Sequence, residues 1–227
     1  MEVEMTRGTL EQELAQLQND VRHLGNMVGE SAADSIQALR LRDVLWAKKI
    51  EARDRLVNTR RFDIEEQCLA LIATQQPMGH NVRLLAAILE IITEIERMGD
   101  YVKGVAHITS RIGPDPLPPD LPRLLERMVH CADAMLQSAL DAFQAGDDRA
   151  ARAVPASDDE VDRLYAESHE VLLEWINLHP EDFDRATRLL WVAHNLERFA
   201  DRVTNICERT IFTVTGEVLE FSASGGD

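Results

Sequence analysis

The chain of 227 residues carries 40 acidic against 24 basic side chains, a formal net charge of −16. That balance excludes a nucleic-acid binder, which needs a basic face for phosphates, and suits cations or a basic protein partner. Apolar residues make up 45% and aromatics only 5%, with 11 Gly and 8 Pro, so the composition excludes a disordered chain and favours helices over sheets.

In chain order, Thr9 and Gln12 have the form of a capping box. Leu14, Leu17, Val21, Leu24 and Val28 then recur at helical steps, giving a first helix to about Leu41. Asp43 is placed to cap a second, striped by Ile50, Val57, Ile64, Cys68 and Leu71, and Gln75–Gly79 breaks it. A third helix carries Val82, Leu85, Leu89 and Ile92 on one row and Ile88, Ile91, Ile95 and Met98 on the next. Gly113–Pro119 is the one proline-rich segment and cannot be helical. A fourth helix spans Leu121–Ala145, Gly146-Asp147 closes it, and a fifth runs to about Leu178 with Pro155 expected to kink or delay it. His179-Pro180-Glu181-Asp182 opens a sixth, reaching about Val214. The tail Ser222–Asp227 is expected to fray.

The halves repeat. An offset of 104 aligns Asp43 with Asp147, Ile50 with Val154, Asp54 with Asp158 and Val57 with Val161; after the hairpin it becomes 101, aligning Glu96-Arg-Met-Gly-Asp100 with Glu197-Arg-Phe-Ala-Asp201. The expected fold is all-α: two tandem, pseudo-symmetric antiparallel three-helix bundles, residues 9–112 and 121–217, with a linker over 113–120 and a tail over 218–227. Each helix is about 30 residues, or roughly 45 Å, long.

The acids sit in phase with the core. Glu96 continues the Val82 row, and Glu197 continues Phe183, Ala186, Leu190 and Ala193; Asp54 and Asp158 stand between Ile50 and Val57 and between Val154 and Val161. Counted from the second hairpin, Asp162 and Glu197 each lie 17 residues from the turn, and Asp158 and Asp201 each lie 21 away. Equal distances in an antiparallel pair mean equal heights, so four carboxylates converge. In the first half Asn58 and Glu96 are each 18 from the turn, and Asp54 and Asp100 each 22, giving three carboxylates and an amide. Like charges so close repel unless a cation separates them. An oxygen donor set suits Mg²⁺, Mn²⁺, Ca²⁺ or iron, with Zn²⁺ also admissible, singly or as several bridged ions.

Weaker candidates are Asn26 and Glu30, counted to the level of Asn58 and Asp54, His130 near the level of Asp162, and His194 three residues before Glu197. Arg97 and Arg198 are expected to neutralise neighbouring acids, and Trp46, Trp175 and Trp191 to pack. Cys68, Cys131 and Cys207, odd in number and without a C-x-x-C spacing, are expected to be buried free thiols in a reducing compartment. The opening Met-Glu-Val-Glu-Met-Thr-Arg has no apolar region of a signal peptide, and Leu84–Ile92 is interrupted by Glu90 and too short to span a bilayer. A cytoplasmic location is expected. Hydrolase, Walker, dinucleotide and H-E-x-x-H motifs are absent, and no His has Glu three residues earlier, as a di-iron oxidase requires. The expectation is a non-enzyme; the alternative is a metal-dependent, phosphatase-like hydrolase using the carboxylates, with His194 as its acid/base group.

With these residues in view, the chain from about Leu10 to Glu220 resembles the PhoU phosphate-uptake regulator family. The repeated E(D)-x-x-x-D motifs, Asp158-x-x-x-Asp162, Asn205-Ile-Cys-Glu208 and Val214-Thr-Gly-Glu217 carry the resemblance, and Asn58 departs from it. The resemblance implies a cytoplasmic, commonly homodimeric protein with metal clusters on an acidic surface. It further implies a negative regulator of the phosphate-starvation response, contacting the ATP-binding subunit of a phosphate transporter and a membrane sensor kinase. It meets the membrane only through those partners.

Overall fold

The structure, a computed structural model, describes residues 2–221, and side chains from Leu10 onward; the Ser222–Asp227 tail lies outside the described residues. It is all-helical, with α1 at Glu2–Leu41, α2 at Val44–Gln75, α3 at His80–Thr109, α4 at Leu121–Ala145, α5 at Asp148–Ala153, α6 at Asp158–Leu178 and α7 at Phe183–Thr215. No helix among the described residues is long and apolar enough to cross a membrane.

The punctuation follows local chemistry. Asp43 caps α2 by accepting from the Trp46 N–H at 2.9 Å, and Asp147 caps α5 by accepting from Arg149 and Ala150. Gln76 and Gly146 end α2 and α4 in the left-handed conformation. Helix α1 is already helical at Glu2, upstream of the Thr9–Gln12 box. The fifth expected helix is divided. Pro155 lacks an N–H, and Val154–Ser157 forms a 3-10 turn between α5 and α6. A second 3-10 turn, Pro180–Asp182, leads into α7.

Helices α1–α3 form one antiparallel bundle and α4–α7 the other. Helices α1, α3, α7 and α4 pack in a closed ring, each against the next, so the units share one continuous core. Helix α2 lies outside against α1 and α3, and α6 lies outside against α4 and α7. Across the α3–α7 seam, Glu94 accepts from Arg202 at 3.3 Å and from Asn205 at 3.0 Å, and Arg209 pairs with Glu90 at 2.8 Å. Gly104 lets α7 approach here, since a Cβ would stand 2.9 Å from Asn195 Nδ2. On the α1–α4 side Arg22 reaches Asp141 and Gln144.

The apolar rows are correct at their centres and wrong at their ends. Ile88, Ile91, Ile95 and Met98 are fully buried, but Val82 and Phe183 are exposed because each starts its helix beyond the reach of its neighbours. Trp46 and Trp175 pack against the core. Trp191 does not: it is 57% exposed, edge-on to His194 at 5.6 Å. Cys68 and Cys207 are buried free thiols pushed up to about 12 by burial, whereas Cys131 is only half-buried.

Phe199 is among the largest fully buried side chains, at 1% exposure on α7. Phe199→Ala lowers the unfolding free energy by about 3–5 kcal/mol, measured as an earlier denaturant midpoint with unchanged native helicity.

Candidate metal centre

Helices α3 and α7 each bury most of their circumference, and their acids lie where the buried surface ends. Glu96, Asp158, Asp162, Glu197 and Asp201 are half-buried, Asp100 is exposed, and only Asp54, at 7%, is buried. The core phasing therefore places the carboxylates at the rim of the core, facing α2 in one unit and α6 in the other.

In the second unit the acids of α6 and α7 meet as the level count requires. Burial first, then the charges of Asp162, Asp201 and Asp159, pushes the Asp158 carboxyl up to about 7. Burial and Asp201 push Glu197 up to about 7 against the lowering effect of Arg198, with Asp162 and Asp158 adding to the rise. Burial and the charges of Asp201 and Asp159 likewise raise Asp162. Asp158 Oδ1 and Glu197 Oε2 are buried without a hydrogen-bond partner. His194 Nδ1 lies 3.4 Å from Glu197 Oε2, near enough for attraction when protonated but not aligned to donate. Arg198 stands 3.7 Å from Asp201.

The first unit brings its set together as well, with a different outcome. Burial and the neighbouring charges of Asp100 and Asp54 raise Glu96, offset by Arg61 and Arg97; burial and Asp54 raise Asp100, offset by Lys103. Lys103 Nζ donates to Asp54 Oδ2 at 2.7 Å and stands 3.9 Å from Asp100. Asn58 Nδ2 donates to the same Asp54 oxygen at 3.3 Å. Lys103 escaped the sequence reading, although it shares a helix face with Asp100 three residues on. Its second-half counterpart at the 101 offset, Thr204, turns its hydroxyl to the Asp201 backbone carbonyl at 2.7 Å.

Among the described residues no three His, Cys, Asp or Glu side chains form a closed ion cage. The acids are open sets that must rotate to share an ion. The second set gathers four carboxylates, with two buried oxygens lacking donors. In the first, an ammonium and an amide both donate to one oxygen of Asp54, Oδ2. Glu30 and His130 are exposed on α1 and α4 and are not among the charges that raise the cluster acids. Arg97 pairs with Glu94 on its own helix at 3.2 Å.

Carboxyls raised in the fold are protonated there while an unfolded chain, titrating near 4, has released its protons. Their stabilising contribution is complete below the unfolded value and is lost as pH rises through about 7, the folded value of Asp158 and Glu197. Metal-free protein therefore loses thermal stability between pH 5 and pH 8, by less in Asp158→Asn/Glu197→Gln, as read by calorimetry across that range.

A model of the PhoU domain matches residues 21–109 and again 125–210. The phosphate-specific transport system accessory protein PhoU homolog of Caulobacter vibrioides (strain NA1000) is 36% identical over 211 residues, 92% of this chain and 90% of its own length. Its counterpart in Clostridium acetobutylicum is 29% identical over 219 residues, 96% of this chain and 100% of its own. The crystal structure of the phosphate transport system regulatory protein PhoU from Streptococcus pneumoniae superposes with a TM-score of 0.83 at 28% identity, over 93% of this chain and all of that one. PhoU from Pseudomonas aeruginosa superposes at 0.84 with 27% identity, over 91% of this chain and 99% of that one. Matched in both halves and over nearly its whole length, the chain belongs to the PhoU family.

Proposed function

We propose that the chain is a regulatory adaptor of phosphate transport whose α6–α7 carboxylates take up a metal ion. Its relatives are named as accessory and regulatory proteins of phosphate transport systems. The observation that carries the metal reading is the pair of buried, partnerless oxygens on Asp158 and Glu197 within a four-acid set. Such a set is costly without a cation and favourable with one. Iron, Mn²⁺, Mg²⁺, Zn²⁺ and Ca²⁺ all accept oxygen ligands, and several could bridge the four carboxylates.

The regulatory partners are the ATP-binding subunit of a phosphate transporter and a sensor kinase, met by an acidic, rigid helical surface, with a homodimer as the acting form. The competing reading is a metal-dependent hydrolase, and its one support is His194 beside Glu197. Its weakness is the lack of alignment: His194 does not hydrogen-bond the carboxylate it would work with.

Co-purification from the native host tests the adaptor reading. Transporter ATPase or sensor kinase is expected with the wild type and is reduced at least several-fold with Glu197→Ala/Asp201→Ala. Elemental analysis of the same samples shows bound metal in wild type and its loss in the double variant. Phosphate-ester turnover with Mg²⁺, Mn²⁺ or iron that disappears in Asp201→Ala establishes the hydrolase instead.

A further inference from the structure

The two acid sets differ in what neutralises them. Asp54 is the most buried acid of the eight polar positions, and its Oδ2 is the atom that Lys103 reaches at 2.7 Å. Lys103 extends from α3 to α2 to do so, its side chain 46% exposed, and its ammonium stands 3.9 Å from Asp100. Asn58 aims amide hydrogens, not a lone pair, at the same Asp54 oxygen. In the second unit the equivalent positions hold Thr204, turned to its own backbone, and Asp162, a further acid. Two buried carboxylate oxygens there have no donor.

We infer that Lys103 is the resident cation of the first unit, its ammonium occupying the position between Asp54 and Asp100 that a metal ion would take, so that metal uptake is confined to the second unit. A divalent ion entering the first set has to displace a charge-assisted hydrogen bond from a buried carboxylate and gains one carboxylate fewer than in the second. The ammonium presents donors only and cannot share an ion with the acids. The duplicated fold is thus chemically divided: the buried acid of the first half is paired by the chain itself, and the cluster of the second takes an ion from solution. This rests on the metal reading of the second unit, and the test separates the two.

The test is uptake of Mn²⁺ by metal-free protein, measured by equilibrium dialysis with elemental analysis, and helicity by circular dichroism in every variant. Asp158→Asn/Asp201→Asn is expected to lose at least nine-tenths of the wild-type Mn²⁺. Adding Lys103→Met and Asn58→Asp to that background is expected to restore uptake at least tenfold, at the first unit. Lys103→Arg with Asn58→Asp, which keeps a cation there, is expected to restore none and serves if Lys103→Met impairs folding. Retention of half or more of the Mn²⁺ by Asp158→Asn/Asp201→Asn overturns the inference, as does failure of the Lys103→Met combination to gain any. A wild type that takes up no Mn²⁺ while that combination does removes the metal reading of the second unit and leaves the role of Lys103 standing.

Discussion

The structure depends on how α3 and α7 are surrounded. Each packs against three of the other long helices: α1, α2 and α7 around α3, and α4, α6 and α3 around α7. A helix enclosed on three sides has one strip left where side chains can keep contact with water. Glu96 and Asp100 occupy the edge of that strip on α3, and Glu197 and Asp201 on α7. Enclosure desolvates them, and the outer helices α2 and α6 bring further polar groups to the same height. Carboxylates are thereby held together by apolar packing elsewhere along the same helices. Ala, Leu, Ile and Val rows supply the stabilisation that offsets the repulsion.

The polar seam between the units has another character. Glu94 is satisfied by Arg202 and Asn205, and Glu90 by Arg209, so the α3–α7 contact holds few unpartnered charges. A half-buried glutamate that accepts two good hydrogen bonds fixes the register of two helices at small net gain in stability. The contrast with Glu197 and Asp158 is informative, since carboxylates on packed helices are either completed by the chain or left incomplete. Chemistry is expected where completion fails.

Much of this was legible in the sequence because its signals are local or periodic. The cap at Asp43, the helix ends at Gln75–Gly79 and Gly146-Asp147, and the Pro155 interruption follow from single residues. The meeting of Asp158 and Asp162 with Glu197 and Asp201 follows from counting outward from one tight turn, because an antiparallel pair of regular helices leaves no other register. What the sequence hid was set by packing between units. Periodicity marks a row as apolar but does not say where the neighbouring helix ends, so Val82, Phe183 and Trp191 were placed inside and lie outside. It also treats a lysine as a solvated face residue. The reach of Lys103 across to Asp54 needs the α2–α3 distance, which no spacing along α3 contains. Only the comparison with Thr204 at the matching position could have raised the question.

A duplicated fold with one shared core can tolerate this division of labour. An ion pair supplied by the chain is present at any metal concentration, so Asp54 keeps its partner whenever the protein is folded. In the second unit, on the proposed metal reading, the repulsion among Asp158, Asp162, Glu197 and Asp201 is relieved by a bound ion, with Arg198 offsetting it in part at Glu197. Binding to the folded state alone then adds stability that grows with the logarithm of ion concentration. Because α1, α3, α7 and α4 form a closed ring, both units contribute to the one core that offsets the repulsion. If both halves depended on an ion, metal-free chains would bear two strained sites in one cooperative unit. With Lys103 in place they bear one, at the end of α6 that Pro155 has already separated from α5.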